Sequence, residues 1–468
     1  MKGDFARMTF DPAAHFSRVL LQQGRVLLEA DFNEQSAISN HLLRCLVTDI
    51  IGRRFAAGSG FAIEDATGPV DFTIRAGRYY VDGIVCENDR DCGYTTQPLW
   101  PTPESATDIA AKPLSVYLDC WERHVSCVEE PRLREIALGG PDTATRIQTA
   151  WQVRLLTQAI AKAMVDPLVD ILKARLDAPE YQDSLSAIKD TLTGLTSAMQ
   201  TFAGTPNDCA AAQDLLDRLD AVVPRLAARA KRGQDDDEPC TISPDAQYRG
   251  YENQLYRLEI HDGGSAEQAT FKWSRENGSV AFRVLNAVAN ESGGDSATMV
   301  TLDRFGPDRR YGLCVGDWVE LTDDDAQLTQ SVWPLLQVAA FDRHRRTVTL
   351  KGGAVRVKPS RNAILRRWDQ PGAAVSVSSV GGDWVELERG LQVRFESLGY
   401  YRSGDYWLIP TRVATGDVEW PFEADGKTRA LVGPFGVKHH RAALAGVRKA
   451  GAVWNVARCG CVHQPLCG

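Results

Sequence analysis

The residues best suited to metal chemistry stand together at the C-terminus, in the segment RCGCVHQPLCG. Three thiols and one imidazole lie within nine residues there, on Cys459, Cys461, His463 and Cys467. Zinc accepts such a ligand set tetrahedrally, and four protein ligands would leave no open position for catalysis. The spacing CxCxHxxxC differs from the usual zinc spacings, so a disordered tail or a disulfide formed after release is the simpler interpretation. We therefore expect no cofactor, with a structural zinc as the alternative.

Two pairs of neighbouring residues could carry acid–base chemistry. Glu122 and His124 would share one face of a strand, where they could act as a general acid and base. Cross-strand ion pairing explains the same two residues without catalysis. His439 and His440 would point to opposite faces of a strand, so only one of them could join a given site. Since the chain also contains neither G-x-S-x-G nor H-E-x-x-H, we expect that it is not an enzyme.

The carboxylates Asp31 and Glu34 could form a further pair, but they stand just before a predicted helix. Negative charge favours a helix N-terminus, and Asp31 or Asn33 would serve as the N-cap. The helix is predicted from about residue 33 to 51, before Gly52, because apolar residues recur on one face at Ile38, Leu42, Cys45, Leu46 and Ile50. Capping therefore explains these acids without chemistry.

Charge and composition argue against several classes of partner. The chain has 468 residues, a net charge of −8 and a pI of about 5.6, which disfavours nucleic acid and anionic membranes. No run of about 18 apolar residues occurs, so no transmembrane helix is expected. The N-terminus has no apolar signal region, which indicates synthesis in the cytoplasm and release, if any, within an assembled particle. Most of the eleven cysteines are scattered singly, as is typical of small buried hydrophobes rather than disulfides.

Residues 157–232 differ in composition from the rest of the chain. They are rich in Ala, Leu, Asp and Gln and nearly free of aromatic residues. Apolar residues recur there with the 3-4 spacing of a helical hairpin or short coiled coil, at Leu185, Ile188, Leu192, Leu195, Met199 and Phe202. We predict a helical insertion at 157–240 that forms a contact between copies of the chain through this seam.

The remaining sequence is typical of β structure. Alternating residues flank Asp82-Gly83, a pair that favours a tight hairpin turn. The hexapeptide GDWVEL occurs at 316–321 and again at 382–387, and each copy predicts a turn leading into a strand whose Trp fills a core. The expected fold class is mainly β with an α-helical insertion, in several small β-barrel or β-sandwich units. Four consecutive parts are predicted: a docking arm plus helix at 1–60, a β domain at 61–156, the insertion at 157–240 and tandem β domains at 241–468.

The N-terminal block MKGDFARMTFDPAAHFSRVLLQQGRVLLEADFNEQSAI resembles an uncharacterised domain family found beside baseplate genes of phage tails and extracellular contractile injection systems. Further blocks of the same resemblance lie at 118–146, 248–264, 271–284 and 404–421. The resemblance spans nearly the whole chain outside 157–232 and brings no catalytic residues with it. If the chain is a structural subunit, we expect the first block to dock on the particle, through Lys2, Asp4, Phe5, Phe10, Asp11, Pro12, Gln23, Gly24, Arg25, Asp31, Asn33 and Glu34.

These observations together predict a structural component, of the baseplate or fibre type, in a phage-tail-like contractile injection particle. Its N-terminal arm would bind other particle proteins by adding strands to a neighbour's sheet edge, and copies of the chain would form a homo-oligomer. Two other functions stay open. A glycan- or receptor-binding fibre module predicts a patch of Trp, Tyr and carboxylates, and a particle-borne hydrolase predicts two facing acids with raised pKa values.

Overall fold

The structure is a computed structural model, and it describes residues 2–65, 72–100, 113–231, 247–290, 296–377, 383–450 and 453–463. The chain forms two compact units, and each is assembled from three separate segments. The first, called the barrel unit, comprises Met1–Met8, His124–Ile147 and Val223–Val437. The second, called the helical unit, comprises Thr9–Arg123, Gln148–Val222 and Lys438–Gly468. Each unit therefore closes only when distant parts of the sequence meet.

The α-helices of the described residues are α1 Glu29–Ile50, α2 Gln158–Asp177, α3 Leu185–Gly204, α4 Cys209–Arg218 and α5 Asp324–Thr329. Side-chain caps start several of them. The Thr157 hydroxyl accepts from the Ile160 amide before α2, and the Asp208 carboxylate accepts from the Ala211 amide before α4. Among the helices described, none combines the length and the apolar character that a membrane span requires.

The strands of the described residues are, in chain order, β1 Arg54–Ala57, β2 Ile63–Asp65, β3 Phe72–Ile74, β4 Gly77–Val81, β5 Ile84–Asn88, β6 Cys92–Gly93, β7 Leu114–Val125, β8 Arg146–Leu156, β9 Leu226–Ala230, β10 Gln254–Ile260, β11 Gly264–Ser265, β12 Thr270–Ser274, β13 Ala281–Asn290, β14 Ala297–Leu302, β15 Trp318–Thr322, β16 Leu336–Asp342, β17 Thr347–Lys351, β18 Ile364–Trp368, β19 Val375–Ser376, β20 Val385–Glu388, β21 Leu391–Phe395, β22 Tyr400–Tyr401, β23 Tyr406–Arg412, β24 Asp417–Val418, β25 His439–Ala450, β26 Val453–Arg458 and β27 Cys461–His463.

The barrel unit contains a closed antiparallel barrel ordered β13-β14-β17-β16-β15-β18. Alternate side chains fill its interior, among them the buried Val300, Leu321, Leu350 and Leu365. A five-stranded sheet, β19-β12-β10-β23-β24, and a three-stranded sheet, β20-β21-β9, surround a second core. That core is rich in aromatic residues, including Tyr256, Trp273, Phe395 and Trp407.

The helical unit contains three sheets, ordered β27-β1-β4-β5, β26-β25-β7-β8 and β2-β3-β6. Strand β27 runs parallel to β1, so that Cys461 lies beside Phe55. The β4–β5 hairpin turns at Asp82 and Gly83, whose φ values of 49° and 78° suit a tight hairpin turn. Helix α3 packs against both α2 and α4, and α4 also packs on β25.

The predicted fold class is confirmed, since the chain is mainly β with several sheets, a closed barrel and the inserted helices α2 to α4. The hairpin at Asp82-Gly83 and the helix before Gly52 are also present. The four consecutive parts predicted from composition do not coincide with the two units. Strand β9, for example, lies in the predicted helical insertion but pairs with β21 of the barrel unit, because strands can pair across any sequence separation.

The two GDWVEL copies enter different sheets. The first supplies β15 of the closed barrel, and the described part of the second supplies β20 of the three-stranded sheet. Trp318 and Trp384 are both only half-buried, so the prediction that each Trp fills a core was wrong. In strand β15 the buried residues are Val319 and Leu321. Trp318 lies on the other side of the strand, because neighbouring strand residues face opposite sides. The repeat therefore marks a shared local turn and strand, and not a duplicated barrel.

Candidate docking surface

The start of the chain is fixed inside the barrel unit by polar contacts. The ammonium of Lys2 lies 3.1 Å from Glu259 Oε1 and 5.5 Å from the centre of the Trp368 ring. The Gly3 carbonyl accepts a 3.0 Å hydrogen bond from the side-chain amide of Asn277. Because these partners belong to the same unit as residues 2 and 3, the first residues are part of its packed interior.

Apolar contacts continue this attachment. Phe5 and Met8 pack against a small buried cluster made of Leu255, Tyr406 and Leu408. Of the predicted docking residues in this stretch, Lys2 and Phe5 are thus engaged within the chain, whereas Asp4 is exposed.

The acids around Lys2 are held in their charged form. Burial alone would raise the pKa of Glu259, but Lys2, Arg257 and Lys272 hold that pKa well below its usual value. Arg257 Nε lies 2.6 Å from Glu259, while Lys272 lies 3.4 Å from Glu259 and 2.7 Å from Glu320. The pKa of Glu320 is lowered to about 2 by Lys272 and Lys2, again against the effect of burial. Glu259 and Glu320 are therefore ionised near neutral pH, and their charge pairs with Lys2 and its neighbours anchor the N-terminus.

The next predicted docking residues make short-range contacts in the helical unit. Asp11 accepts a 2.9 Å hydrogen bond from the Ala13 amide at the start of a short 3-10 turn that begins at Pro12. The Phe10 ring lies 5.6 Å from the ring of His41 on α1, and Thr9 donates to the Glu34 carboxylate. Asp31 is half-buried and Asn33 is exposed in the first turns of α1. These contacts fix the position of the chain just before residue 15.

Residues 16–28, called the arm, expose apolar side chains to solvent. Val26 is 83% exposed and Leu20 is 72% exposed, and Phe16, Leu21, Leu27 and Leu28 are also exposed. The tetrapeptide RVLL occurs twice in the arm, at 18–21 and 25–28. A turn separates the two copies, with Gly24 at a φ of 69°, and the copies are not assigned to any strand in the described structure. Gln23, Gly24 and Arg25, all predicted docking residues, lie at this exposed turn.

Helix α1 follows the arm, and its Arg44 approaches the turn of the β4–β5 hairpin at Gly83. Its Arg44 donates to Glu122 of β7 at 2.5 Å. A Cβ added to Gly83 would stand 2.7 Å from the Cα of Arg44, so only glycine permits this approach. Of the five apolar residues predicted on one face, only Ile38 is buried, while Leu42, Cys45, Leu46 and Ile50 are exposed. The pattern found the helix but did not show which of its faces is covered.

The candidate acid–base pairs are engaged in other contacts. Glu122 is occupied by Arg44, and burial lowers the pKa of His124 to about 3, so its ring is neutral near pH 7. His439 Nδ1 lies 2.9 Å from Asp119, and His440 Nδ1 lies 2.8 Å from Asp82. The two histidines therefore do point to opposite faces, and each finds the acidic partner that the local sequence did not reveal.

The C-terminal thiols do not form one cluster in the described structure. Cys459 forms a disulfide with Cys209, the first residue of α4, and their Cα atoms are 5.4 Å apart. The prediction that the scattered cysteines are unpaired was therefore wrong for Cys209, because packing of α4 on β25 brings it to the chain end. Cys461 and His463 are exposed in β27, and Cys467 lies outside the described residues. No group of three or more metal-binding side chains exists in the described part of the chain, and the structural zinc stays a prediction.

The predicted contact between copies lies on α3, against neighbours in the same chain. Leu195 and Phe202 are fully buried and Ile188 is buried, while Leu185, Leu192 and Met199 are half-buried. Helices α2 and α4 cover this seam. A role for it between copies stays a prediction, since only the half-buried residues present surface to a second chain.

Comparison with known proteins gives a family and distant structural neighbours. The model of a family described as "Family of unknown function (DUF6519)" matches residues 1–468. No curated protein matches the chain. Among solved structures, the TssK-TssF-TssG baseplate subcomplex of the type VI secretion system contains a chain with 13% identity and a TM-score of 0.19, covering 43% of this chain and 85% of that one. The crystal structure of TssK gives 11% identity and a TM-score of 0.18, covering 81% and 98%. TM-scores this low carry no argument about function.

Proposed function

The chain belongs to the DUF6519 family, and from that premise we propose that it is a structural subunit, of the baseplate or fibre type, in a phage-tail-like contractile injection particle. It acts by docking, through the arm at residues 16–28, and not by catalysis. The single observation that carries the proposal is the exposed apolar surface of the arm, in a chain whose two units have buried hydrophobic cores of their own.

Exposed apolar side chains in a continuous stretch indicate a surface that is covered in the working assembly. Covering one such valine or leucine contributes up to roughly 2 kcal/mol, because the side chain leaves water. The arm offers five such residues and one phenylalanine within thirteen residues: Leu20, Leu21, Val26, Leu27, Leu28 and Phe16. A partner that covers most of them gains on the order of 10 kcal/mol, which offsets part of the cost of ordering a loop of this length and of association.

The ends of the arm are already fixed, and this lowers the entropic cost of docking. The contacts of Phe10 and Asp11 hold the chain before it, and α1 holds the chain after it. The Val19 amide also donates to Gln35 on α1 at 2.8 Å. The two RVLL stretches lie on both sides of the Gly24 turn and belong to no helix or strand of the structure, so their backbone is free of a sheet of this chain and can add to the edge of a partner's sheet.

A structural role also fits the states of the candidate catalytic groups. Glu259, Glu320, Asp82 and Asp119 are acids with lowered pKa values, each held by cations or histidines. A hydrolase that works with two facing acids needs one of them to have a raised pKa. Among the described residues, every Asp or Glu whose pKa departs clearly from its usual value has a lowered pKa.

The test is quantitative mass spectrometry of contractile particles purified from the native host. We expect this chain at a fixed ratio to sheath and tube proteins. The double variant Val26→Asp/Leu27→Asp should fall at least tenfold in particles while its cytosolic level is unchanged, because it places two charges in the docked surface.

The matched control is Ile136→Asp/Leu138→Asp, which adds the same charges to apolar residues that are 88% and 65% exposed in the barrel unit. This variant should enter particles normally. Absence of the wild-type chain from particles would overturn the structural proposal. Normal entry of the arm variant would overturn docking through the arm alone.

A further inference from the structure

Helix α1 carries a second apolar surface, separate from the arm. Residues spaced 4-3-4-3-4 along it form a stripe called the α1 seam: Phe32, Ser36, Ser39, Leu43, Leu46 and Ile50. This is the spacing of a coiled-coil contact. All six residues are exposed, with Phe32 and Leu43 at 56%, Leu46 at 55% and Ile50 at 73%.

The opposite side of the helix holds it in place. At about 100° per residue, Ala30, Glu34, Ile38 and His41 lie roughly half a turn away from the centre of the seam. Ala30 and Ile38 are the buried residues of α1, Glu34 accepts from Thr9, and His41 contacts Phe10. The seam therefore lies on the side of α1 opposite to these contacts.

We propose that the α1 seam is the contact between two copies of this chain, paired antiparallel about a two-fold axis near residue 41. This inference does not depend on the proposed function. In an antiparallel pair the layers join Phe32 to Ile50, Ser36 to Leu46 and Ser39 to Leu43. Every layer then contains at least one large apolar side chain, and each serine lies opposite a leucine, whereas a parallel pair would stack two layers of serine alone.

The charges on α1 also permit self-pairing. No seam residue is charged. At the positions that flank the seam, antiparallel pairing places Leu42 next to Leu42 of the second copy and Asn40 next to Asn40 of the second copy. It places Gln35 of one copy next to Asp49 of the other. Like charges therefore do not meet, even though the chain carries a net charge of −8. Antiparallel helices also align their dipoles favourably. A partner chosen by charge would need complementary residues at these flanking positions, and α1 offers only Asp49 there.

The helix has 22 residues, so the pair buries on the order of 1,000 Å², the lower end of specific interfaces. We therefore expect a dimer whose dissociation depends on concentration. Light scattering after size exclusion should give twice the chain mass of 51.5 kDa at high concentration. Leu43→Asp/Leu46→Asp should raise the dimer dissociation constant at least 100-fold, because the dimer would bury four carboxylates.

The same exposed pair, Ile136→Asp/Leu138→Asp, is the control and should stay dimeric. The arm variant Val26→Asp/Leu27→Asp should also stay dimeric, so failure of this inference is separable from failure of arm docking. A wild-type chain that is monomeric at all concentrations, or a seam variant that stays dimeric, would overturn the inference.

Cysteine cross-linking tests the direction of the pair. In a Cys45→Ser background, Ser39→Cys/Leu43→Cys should form a covalent dimer on mild oxidation, because residues 39 and 43 face each other across an antiparallel seam. The single variant Leu43→Cys should not form one. In an antiparallel pair the two Cα atoms at position 43 would be offset by about 6 Å along the helix axis, before the distance between the helices is added. Efficient cross-linking of the single variant would show a parallel pair and overturn the antiparallel arrangement.

Discussion

Helices α1 and α3 carry seams of the same spacing in opposite surroundings. On α3 the seam is covered by α2 and α4, and Leu195 at its centre is fully buried. On α1 the seam is exposed along its whole length, including Leu43 and Leu46. The difference teaches that heptad-like spacing identifies a helix with a surface to cover, but does not say whether the cover comes from the same chain.

The order of the elements explains the difference. Helices α2 and α4 lie directly before and after α3 in the chain, joined to it by short connections. Each of them forms a helical hairpin with α3, and the two hairpins together cover the seam. Helix α1 stands between the arm and β1, with no α-helix next to it in sequence among the described residues. Its Arg44 contacts the β4–β5 turn at Gly83 and Glu122 of β7, and its opposite side is exposed.

The sharpest way to break this comparison is to truncate one leucine in each seam. Leu195→Ala should lower the free energy of unfolding by roughly 3 kcal/mol, because it leaves a cavity in a closed helical core. Leu46→Ala should change it by less than about 0.5 kcal/mol at dilutions where the chain is monomeric, because that side chain is exposed. Chemical denaturation of both variants measures the contrast. Equal losses would show that α1 is covered within its own chain.

A second, smaller effect concerns the β4–β5 turn, which contacts α1 at Arg44. Gly83→Ala should destabilise the helical unit by roughly 2 kcal/mol, because a Cβ at a φ of 78° would be strained and would press on the Arg44 backbone. Hydrogen exchange should then show faster opening of α1 and of the β4–β5 hairpin, with α3 unchanged. Gly58→Ala is the control, since it has a φ of 61° but open space around it. If the two variants behave alike, close packing of α1 on the hairpin is wrong.

The smallest expected effect is a pH dependence of the free energy of unfolding that comes from Asp82 at the β4–β5 turn. Burial would raise the pKa of Asp82, but His440 and Arg53 lower it from 3.8 to about 2. A lowered folded-state pKa means that the carboxylate stabilises the fold fully above about pH 4 and that this contribution is lost as the pH falls towards 2. The loss is at most about 2 kcal/mol and is reduced by solvent screening. The variant Asp82→Asn should lose less free energy of unfolding than the wild type between pH 4 and pH 2. An unchanged loss over that range would contradict the lowered pKa of Asp82.

Much of the candidate site could be predicted from the sequence, but its state of coverage could not. The helix at residues 33–51 and the turn at Asp82-Gly83 follow from local pattern, and both are present. The exposure of Leu43 and Val26 does not follow, because an apolar stripe looks the same whether a neighbour covers it or not. The twofold RVLL tetrapeptide was a readable signal for the arm, since a repeat flanking a glycine turn indicates two equivalent extended stretches.

The sequence by itself determined the local choices: which stretches alternate as strands, that a helix precedes Gly52, and that mainly β structure surrounds an α-helical insertion. These choices depend on neighbours within a few residues, so a pattern can reveal them. The sequence did not determine where that helix begins, since α1 starts at Glu29 after Leu28 and neither Asp31 nor Asn33 caps it. Only the tertiary structure decided that Lys2 is bound to Glu259, that Cys209 meets Cys459, and that α3 is covered while α1 is not. Those outcomes join residues hundreds of positions apart or depend on what a surface meets, and no local pattern of side chains specifies either.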